Sequence, residues 1–444
     1  FQGKVYPINP REKEIQGLKA YPGVEALPET PELAVLVTPP PSVPTVLEEC
    51  ARKGIRAGIV ITAGFAEVGT DGEGLQQEMV HIAHKAGMIL VGPNCFGVIS
   101  TPGNLVTTMP PLFPKPGSFA IVSQSGNVAG SIARTLMDKD CGISRLISYG
   151  NEADLHSEDF LEYLAEDTET KVILSYIEGF KDGRRFLETA KRVTGKKPII
   201  MLKAGYTAAG ATAAKSHTAA LAGSDATFNA ACKQAGIIRV RDMHELCNIS
   251  IALSDQPLPK GKRVGIVTAG GGWGVLGADA CANAGLTVTQ LPEETIRELD
   301  SILPPWLSRG NPVDLVAGTF GNAMMRTVDV VLGCPSVDGV ILLNIAPALP
   351  RIIFTWLPSG APPSKEQVKI FTDALDQILD QLVASVAKHG KPIIVASEFD
   401  SYTDIAVARL AKRKGIPCCP MPDDAAVVLS RLAQYAEYLR NSTP

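Results

Sequence analysis

The stretch Ile121–Asp138, IVSQSGNVAGSIARTLMD, runs from a β-branched apolar segment through a turn of Ser123, Gln124, Ser125 and Gly126 into a helical stretch. Short hydroxyl side chains and a glycine at a helix N-terminus direct backbone N–H groups outward, which suits an anion. The spacing therefore predicts a strand, a phosphate cradle at Ser125, Gly126 and Asn127, and a helix. A tight turn with a serine N-cap is the plainer alternative. What decides the fold is that this strand–turn–helix theme recurs along the whole chain.

Working toward the N-terminus, strands are predicted at Leu33–Thr38, Gly58–Ala63 and Met88–Gly92, each running into a small-residue or proline turn. Toward the C-terminus they are predicted at Arg145–Tyr149, Val172–Ile177 and Pro198–Lys203. A later set comprises Arg263–Thr268, Leu286–Thr289, Gly339–Ile345, Pro392–Ser397 and Ile416–Cys418. Near-continuous apolar strands are expected where helices cover both faces of a parallel sheet. Strands alternating with helices give an α/β architecture whose functional loops lie at the strands' carboxyl ends.

Two seams divide the chain. Thr101–Ser118 is proline-rich without a helical period and reads as an ordered linker, and Ser254–Arg263 is polar and proline-broken. Three α/β domains are expected, at residues 1–116, 117–256 and 257–444. Pro347–Gln367 is a proline-rich insertion in the third, expected as a surface or interface loop. The segment Gly3–Pro10 reads as a second strand entering its turn, so a first βα unit with its Gly-rich turn is expected to be missing.

The 444 residues carry a formal net charge of −4, which gives no electrostatic reason to expect nucleic acid or an anionic membrane. No apolar run approaches the ~20 residues that cross a bilayer, and the first residues lack a secretory layout. A cytoplasmic location follows. Nine scattered cysteines with no C-x-x-C pair argue against a disulfide framework. His81 and His84 share an i, i+3 spacing but have no third ligand nearby, so no metal is expected on this chain.

The chemistry concentrates in Ala213–Gly236, where His217 sits among Ala, Gly, Ser and Thr before a helix that Gly223 or Ser224 can cap. Small neighbours leave the imidazole room to move, and the helix start offers N–H groups to an anion. Such a setting suits a histidine that attacks phosphorus and then presents the phosphoryl group elsewhere. Two carboxylates compete to orient it: Glu178, closing a strand, and Glu152, in the GNEAD segment. Either would fix the tautomer and stabilise the charge that develops on attack. In the first domain, Val37–Pro44, Ile61–Glu67 and Gly92–Ser100 stand at successive strand ends, where a nucleotide lies across such a sheet. Cys95 has no histidine or basic neighbour in sequence to activate it. Ile266–Ala280 is glycine-rich but does not match G-x-G-x-x-G with an acidic partner, and no G-x-x-x-x-G-K-[ST] occurs.

Together, GPNCFGVI, IVSQSGN, SYGNEAD, YIEGFKDGRRF, SHTAALAGSDA, TAGGGWGVLGADA and GNPVDL make the chain closely similar to the α subunits of ADP-forming acetyl-CoA synthetases. It more distantly resembles the succinyl-CoA synthetase α subunit, and the resemblance spans essentially all 444 residues. It implies a Rossmann-like CoA-binding domain followed by two flavodoxin-like parallel-sheet domains. His217 would be the phosphorylated histidine, Glu178 its supporting glutamate, and Ser125 and Gly126 the phosphate-cradling turn. Thr38, Ile61, Thr62, Ala63, Gly64, Phe65, Asn94 and Cys95 would line the CoA edge.

The implied partners are acyl-CoA, CoA, inorganic phosphate and a short-chain or aryl carboxylic acid. An ATP-grasp β subunit would bind ADP or ATP with Mg2+, in an α2β2 heterotetramer. The rival reading is a degenerate module that senses acyl-CoA without catalysis, against which the intact SHTAALAGS segment and Glu178 speak. A NAD-linked enzyme would share the fold class but not the glycine pattern.

Overall fold

The computed structural model describes residues 1–207, 209–210, 224–316, 321–344, 364–397 and 411–442. They form two compact units, Phe1–Met137 with Gly142–Arg241, and Asp138–Cys141 with Asp242–Pro444.

In the first unit, a two-stranded antiparallel hairpin at Glu14–Ile15 and Leu18–Lys19 precedes a small parallel sheet, β1 (Leu33–Leu36), β2 (Ala57–Val60) and β3 (Ile89–Val91), in that order. Two helices, α1 (Val43–Lys53) and α2 (Thr70–Lys85), connect its strands. Leu47, Phe65, Met79 and Leu90 form part of its core. Gly3–Pro10, expected as a strand, makes only one isolated bridge, between Ile8 and Tyr21. Pro7 and Pro10 have no N–H to donate, so a longer ladder cannot form there.

A seven-stranded sheet follows. Its strands are β4 (Gly97–Ser100), β5 (Leu105–Val106), β6 (Pro116–Ser123), β7 (Ile143–Ser148), β8 (Val172–Ile177), β9 (Ile199–Lys203) and β10 (Ile238–Val240). The spatial order is β10-β9-β8-β6-β7-β4-β5. All pairs are parallel except β4 with β5 and β4 with β7. The antiparallel edge was not expected, because Thr101–Ser118 was read as a linker and Gly97–Ser100 is too short to declare a period. The connecting helices are α3 (Gly126–Asp138), α4 (Ser157–Glu166), α5 (Gly183–Thr194) and α6 (Asp225–Ala235). Asp182 starts α5 by accepting from the Arg184 and Arg185 N–H groups. Tyr149, Phe160, Ile177 and Phe186 close the core beneath the carboxyl edge.

The second unit repeats the arrangement. After α7 (Met243–Asp255) come β11 (Arg263–Thr268), α8 (Gly271–Asn283), β12 (Thr287–Val288), α9 (Glu293–Asp300), β13 (Val313–Asp314) and α10 (Asn322–Gly333). Next are β14 (Gly339–Leu343), α11 (Lys365–His389), β15 (Ile393–Ala396), β16 (Cys418–Cys419) and α12 (Pro422–Ser442). The sheet order is β12-β11-β14-β15-β16, with β13 also paired to β11, and every pairing is parallel. Every residue of the central strand β14 is buried, as a strand covered on both faces requires.

The expected fold class is the observed one: three consecutive α/β domains with predominantly parallel sheets. Most of the insertion Pro347–Gln367 lies outside the described residues. Among the described residues, no helix is long and apolar enough to cross a membrane. The nine cysteines are free thiols.

Candidate functional site

The carboxyl edge of the seven-stranded sheet is built around the turn that follows β6. The Ser123 hydroxyl donates to the Ser125 carbonyl at 2.7 Å, folding the chain sharply out of the strand. The Ser125 carbonyl then accepts from Ala129 N–H, and its Oγ lies 3.4 Å from Val128 N, so Ser125 caps α3. The first N–H groups of a helix have no acceptor within it, and here they belong to the turn carrying Gly126 and Asn127. A Cβ at Gly126 would stand 2.7 Å from Cβ of Phe96, so the cradle is packed too closely for a side chain.

Gln124, passed over in the sequence as a turn residue, turns inward. Its carboxamide oxygen accepts from the N–H groups of Glu178 at 2.5 Å and Gly179 at 3.3 Å. Its nitrogen donates to Oε2 of Glu152 at 3.1 Å and to the Gly179 carbonyl at 3.3 Å. The structure thus brings the cradle and both candidate carboxylates to one edge. Glu178 is 9% exposed, with Oε1 3.4 Å from the Tyr176 hydroxyl and its carbonyl facing Nζ of Lys203 at 3.4 Å. Lys203 also donates to the Ala204 carbonyl at 2.8 Å, and burial lowers its pKa.

Glu152 sits in the left-handed region at φ 56° and is 4% exposed. Burial pushes its carboxyl up to about 7, against the opposing pull of the Ser157 N–H, which donates to Oε1 at 2.8 Å. Lys181 donates to the Glu152 carbonyl, and Nδ1 of His156 lies 3.7 Å from Oε1. Burial, reinforced by Lys181, lowers the His156 pKa. The hydroxyl of the fully buried Tyr149 has no hydrogen-bond partner among the described residues.

His217 lies outside the described residues, as does Gly223. The chain enters that stretch from the carboxyl end of β9, next to Glu178, since Ala204 N–H donates to the Ile177 carbonyl. It leaves at Ser224, which stands at the N-cap of α6 without a side-chain cap bond.

The expected CoA edge occupies the carboxyl ends of β1 to β3. The Thr62 hydroxyl donates to the Thr38 carbonyl at 2.7 Å, and Asn94 N–H donates to the Thr62 carbonyl at 2.9 Å, lacing the three loops together. Ile61, Thr62 and Gly64 are half-buried and Ala63 is exposed. Gly64 has φ 105°, and a Cβ there would meet Pro40 at 2.7 Å, so only glycine fits. Phe65 and Cys95 send their side chains into the core, leaving their backbone at the edge. Burial pushes the Cys95 thiol up to about 12, and its Sγ lies 3.3 Å from the Val60 carbonyl, so it is no thiolate at neutral pH. The Thr38 Oγ1 is buried without a hydrogen-bond partner among the described residues.

The two edges are joined by residues the sequence reading did not single out. Glu67 accepts from the N–H groups of Gly64 and Phe65 with one oxygen, and from Asn151 Nδ2 with the other at 2.5 Å. Oδ1 of Asn151 accepts from Asn94 Nδ2 at 3.2 Å. Burial alone would raise the Glu67 carboxyl, but these donors outweigh it and hold it low. Nearby, Asp154 takes Nε2 of His84 at 2.7 Å and the Leu90 N–H at 2.7 Å. Asn151 is the neighbour of Glu152, so the first-domain loops reach the carboxylate pair through one residue of main chain. Sequence carried a faint local signal for Glu67, a glutamate three residues after a loop glycine, and none for its pairing with Asn151, 84 residues on.

Family profiles match in the same order as the sheets. A CoA-binding domain matches residues 2–101, a succinyl-CoA ligase-like flavodoxin domain residues 116–253, and a ligase-CoA domain residues 264–359. The α subunit of ADP-forming acetate–CoA ligase II of Pyrococcus furiosus is 41% identical over 98% of this chain and 90% of its own length. An ADP-forming acetate–CoA ligase of Methanocaldococcus jannaschii is 43% identical over 71% of this chain, which is 44% of that longer protein. In solved structures, a dinucleotide-forming acetyl-coenzyme A synthetase of Ca. Korarchaeum cryptofilum, in complex with phosphate and ADP, superposes with a TM-score of 0.85 at 34% identity. That match covers 100% of this chain and 92% of the other. A strand-end turn whose glutamine carboxamide holds the Glu152 carboxylate and the main chain of Glu178, and this likeness along nearly the whole length, place the chain in the family of ADP-forming acetate–CoA ligase α subunits.

Proposed function

We propose that this chain is the CoA-binding, phosphohistidine-bearing α subunit of an NDP-forming acyl-CoA synthetase. It would interconvert acyl-CoA, phosphate and ADP with a carboxylic acid, CoA and ATP. The observation that carries this reading is the carboxyl edge of the seven-stranded sheet, where Gln124 holds Glu178 and Glu152 beside the Ser125–Gly126 turn. The segment bearing His217 departs from the neighbouring strand end.

In the first step, a phosphate oxygen attacks the thioester carbonyl, the C–S bond breaks and CoA leaves as its thiolate, giving an acyl phosphate. A neutral His217 nitrogen then attacks phosphorus, the P–O bond to the acyl group breaks and the carboxylate departs. Phosphohistidine next passes the phosphoryl group to ADP. Glu178 would orient His217 and offset the positive charge that develops on its ring. The N–H groups of Ser125, Gly126 and Asn127 would receive the phosphoryl oxygens. Thr38, the backbone of Ile61–Phe65, Asn94 and the backbone of Cys95 would form the CoA edge.

ADP or ATP with Mg2+ would bind an ATP-grasp β subunit, in an α2β2 assembly, and the acid would be a short-chain or aryl carboxylate. The P. furiosus relative is itself named a subunit, in keeping with a separate partner. Likeness along 98% of the chain to a ligase subunit does not favour a catalytically silent acyl-CoA sensor.

The test is mass spectrometry of peptides kept alkaline to preserve phosphohistidine, after incubation with acetyl-CoA plus phosphate or with acetyl phosphate. Phosphate is expected on the His217 peptide and absent from His217→Ala. An unmodified His217 with both donors, and with ATP plus a β subunit, would sink the reading and leave the sensor.

A further inference from the structure

A carboxamide has two acceptor lone pairs and two donors, and Gln124 uses all four inside the candidate site. The oxygen takes the N–H groups of Glu178 and Gly179, while the nitrogen serves the Gly179 carbonyl and Glu152 Oε2. The Gln124 main-chain N–H donates to the Tyr176 carbonyl at 3.2 Å, so the residue is itself anchored to the strand whose end it holds. A structural turn residue needs none of these side-chain bonds. The turn is already closed by Ser123 and Ser125.

We propose that Gln124 is a positioning residue for phosphoryl transfer: it fixes the main chain of Glu178 at its strand end and ties it to the Glu152 carboxylate, so that the two glutamates are held as one preorganised pair. This rests on the phosphohistidine reading above.

Glu152 makes the pair responsive to protons. It faces Gln124 from the β6 turn, His156, Ser157 and Glu158 from the start of α4, Lys181 from beyond β8, and the buried Tyr149 at the end of β7. Ionised, Glu152 accepts a charge-assisted bond from the Gln124 amide; protonated, it accepts a weaker one. Burial places this change at about pH 7, so the grip on Glu178 loosens as pH falls through neutrality.

The experiment measures the rate of His217 phosphorylation by acetyl phosphate from pH 5.5 to 8.5, on the full chain. Wild type is compared with Gln124→Ala, Gln124→Glu and Glu152→Gln, each checked for cooperative unfolding at pH 6. Gln124→Ala is expected to lower the saturated rate by about 10- to 100-fold with little change in the half-saturating acetyl phosphate concentration. Gln124→Glu, the isosteric variant that decides if Gln124→Ala fails to fold, sets a like charge against Glu152 and moves the acid limb up by about one pH unit. Glu152→Gln removes the contribution of Glu152 to that limb and leaves the fall in rate caused by protonation of the attacking His217 imidazole. Wild-type rates and pH profiles in both Gln124 variants, or a Glu152→Gln pH profile identical to wild type, overturn the proposal. Wild type that never labels at His217 removes the phosphohistidine reading itself, and this inference with it.

Discussion

In the second domain, Ser123 ends β6 by donating to the carbonyl two residues on, and the Ser125 carbonyl accepts from Ala129 N–H at 3.0 Å. In the third domain, Thr268 ends β11 by donating to the Gly270 carbonyl at 2.9 Å, and that carbonyl accepts from Gly274 N–H at 3.2 Å. The spacing is the same, and so is the lacing to the adjoining strands. Tyr149 N–H donates to the Ser123 carbonyl as Leu315 N–H does to Thr268, and Gln124 N–H donates to Tyr176 as Ala269 N–H does to Leu343. Even the left-handed residue following on the adjoining strand recurs, Gly150 at φ 54° and Val316 at φ 45°. What differs is the residue inside the turn. Gln124 reaches the Glu152 carboxylate and the main chain of Glu178 and Gly179, whereas Ala269 occupies the matching place and has no polar side-chain atom. Among the described residues, the same local backbone thus makes a furnished turn in one domain and a bare one in the other, because the furnishing comes from neighbouring strands.

The largest effect that would break this parallel lies at the left-handed residue. A Cβ on Gly150 would fall 2.2 Å from the Pro93 carbonyl oxygen and 2.3 Å from that of Asn94. Gly150→Ala is expected to cost at least about 3 kcal/mol in the first unit, read as a drop in its denaturant midpoint. Val316, 42% exposed, is a β-branched residue in a region that favours glycine. Val316→Gly is expected to be neutral or to stabilise the second unit by roughly 0.5–1 kcal/mol. Equal losses at the two positions would show that the turns are not equivalent.

A second effect isolates the furnishing. The Glu152 carboxyl titrates at about 7 in the folded chain, above the ~4.3 of an unfolded glutamate. Its contribution to stability is therefore complete below the unfolded value and is lost as pH rises through 7. Glu152→Gln cannot ionise and should be more stable than wild type at pH 8, on the order of 3 kcal/mol, with the gap closing toward pH 4.5. Unfolding midpoints across that range would show it, and a constant gap would mean that Glu152 is not held against ionisation. A candidate site residue kept at a cost to stability is what function predicts, and among the described residues the third-domain turn has no counterpart.

The smallest effect sharpens the likeness itself. At fully buried positions, Ser123→Ala removes one hydroxyl-to-carbonyl bond, and Thr268→Val removes the same bond together with the 3.2 Å bond its oxygen accepts from Gly270 N–H. Ser123→Ala is expected to cost about 1 kcal/mol and Thr268→Val about 1–2 kcal/mol in denaturant titrations. A much larger loss at Ser123 would mean that the cradle depends on the hydroxyl for more than closing the turn.

Much of this could be read along the chain. The apolar runs at Val172–Ile177 and Gly339–Leu343 announced strands covered on both faces, and both are central strands. Ser123–Gly126 announced a helix-opening turn because its chemistry lies within four consecutive residues. The antiparallel edge at Gly97–Ser100 and Leu105–Val106 was not legible, since strands of four and two residues are defined by their partners rather than by a period. Cys95 and Phe65 were placed at the CoA edge by motif, and the fold keeps only their backbone there.

By itself, the sequence determined the α/β class and put forward strand-end turns, with His217, Glu178 and Glu152, as candidates. These follow from local periodicity and turn chemistry, which act over a few residues. Only the tertiary structure decided that Gln124 joins Glu178, 54 positions away, to Glu152, and that Glu67 reaches Asn151. It also set the protonation of Glu152, because burial is a property of everything packed around a carboxylate and of no single stretch of chain.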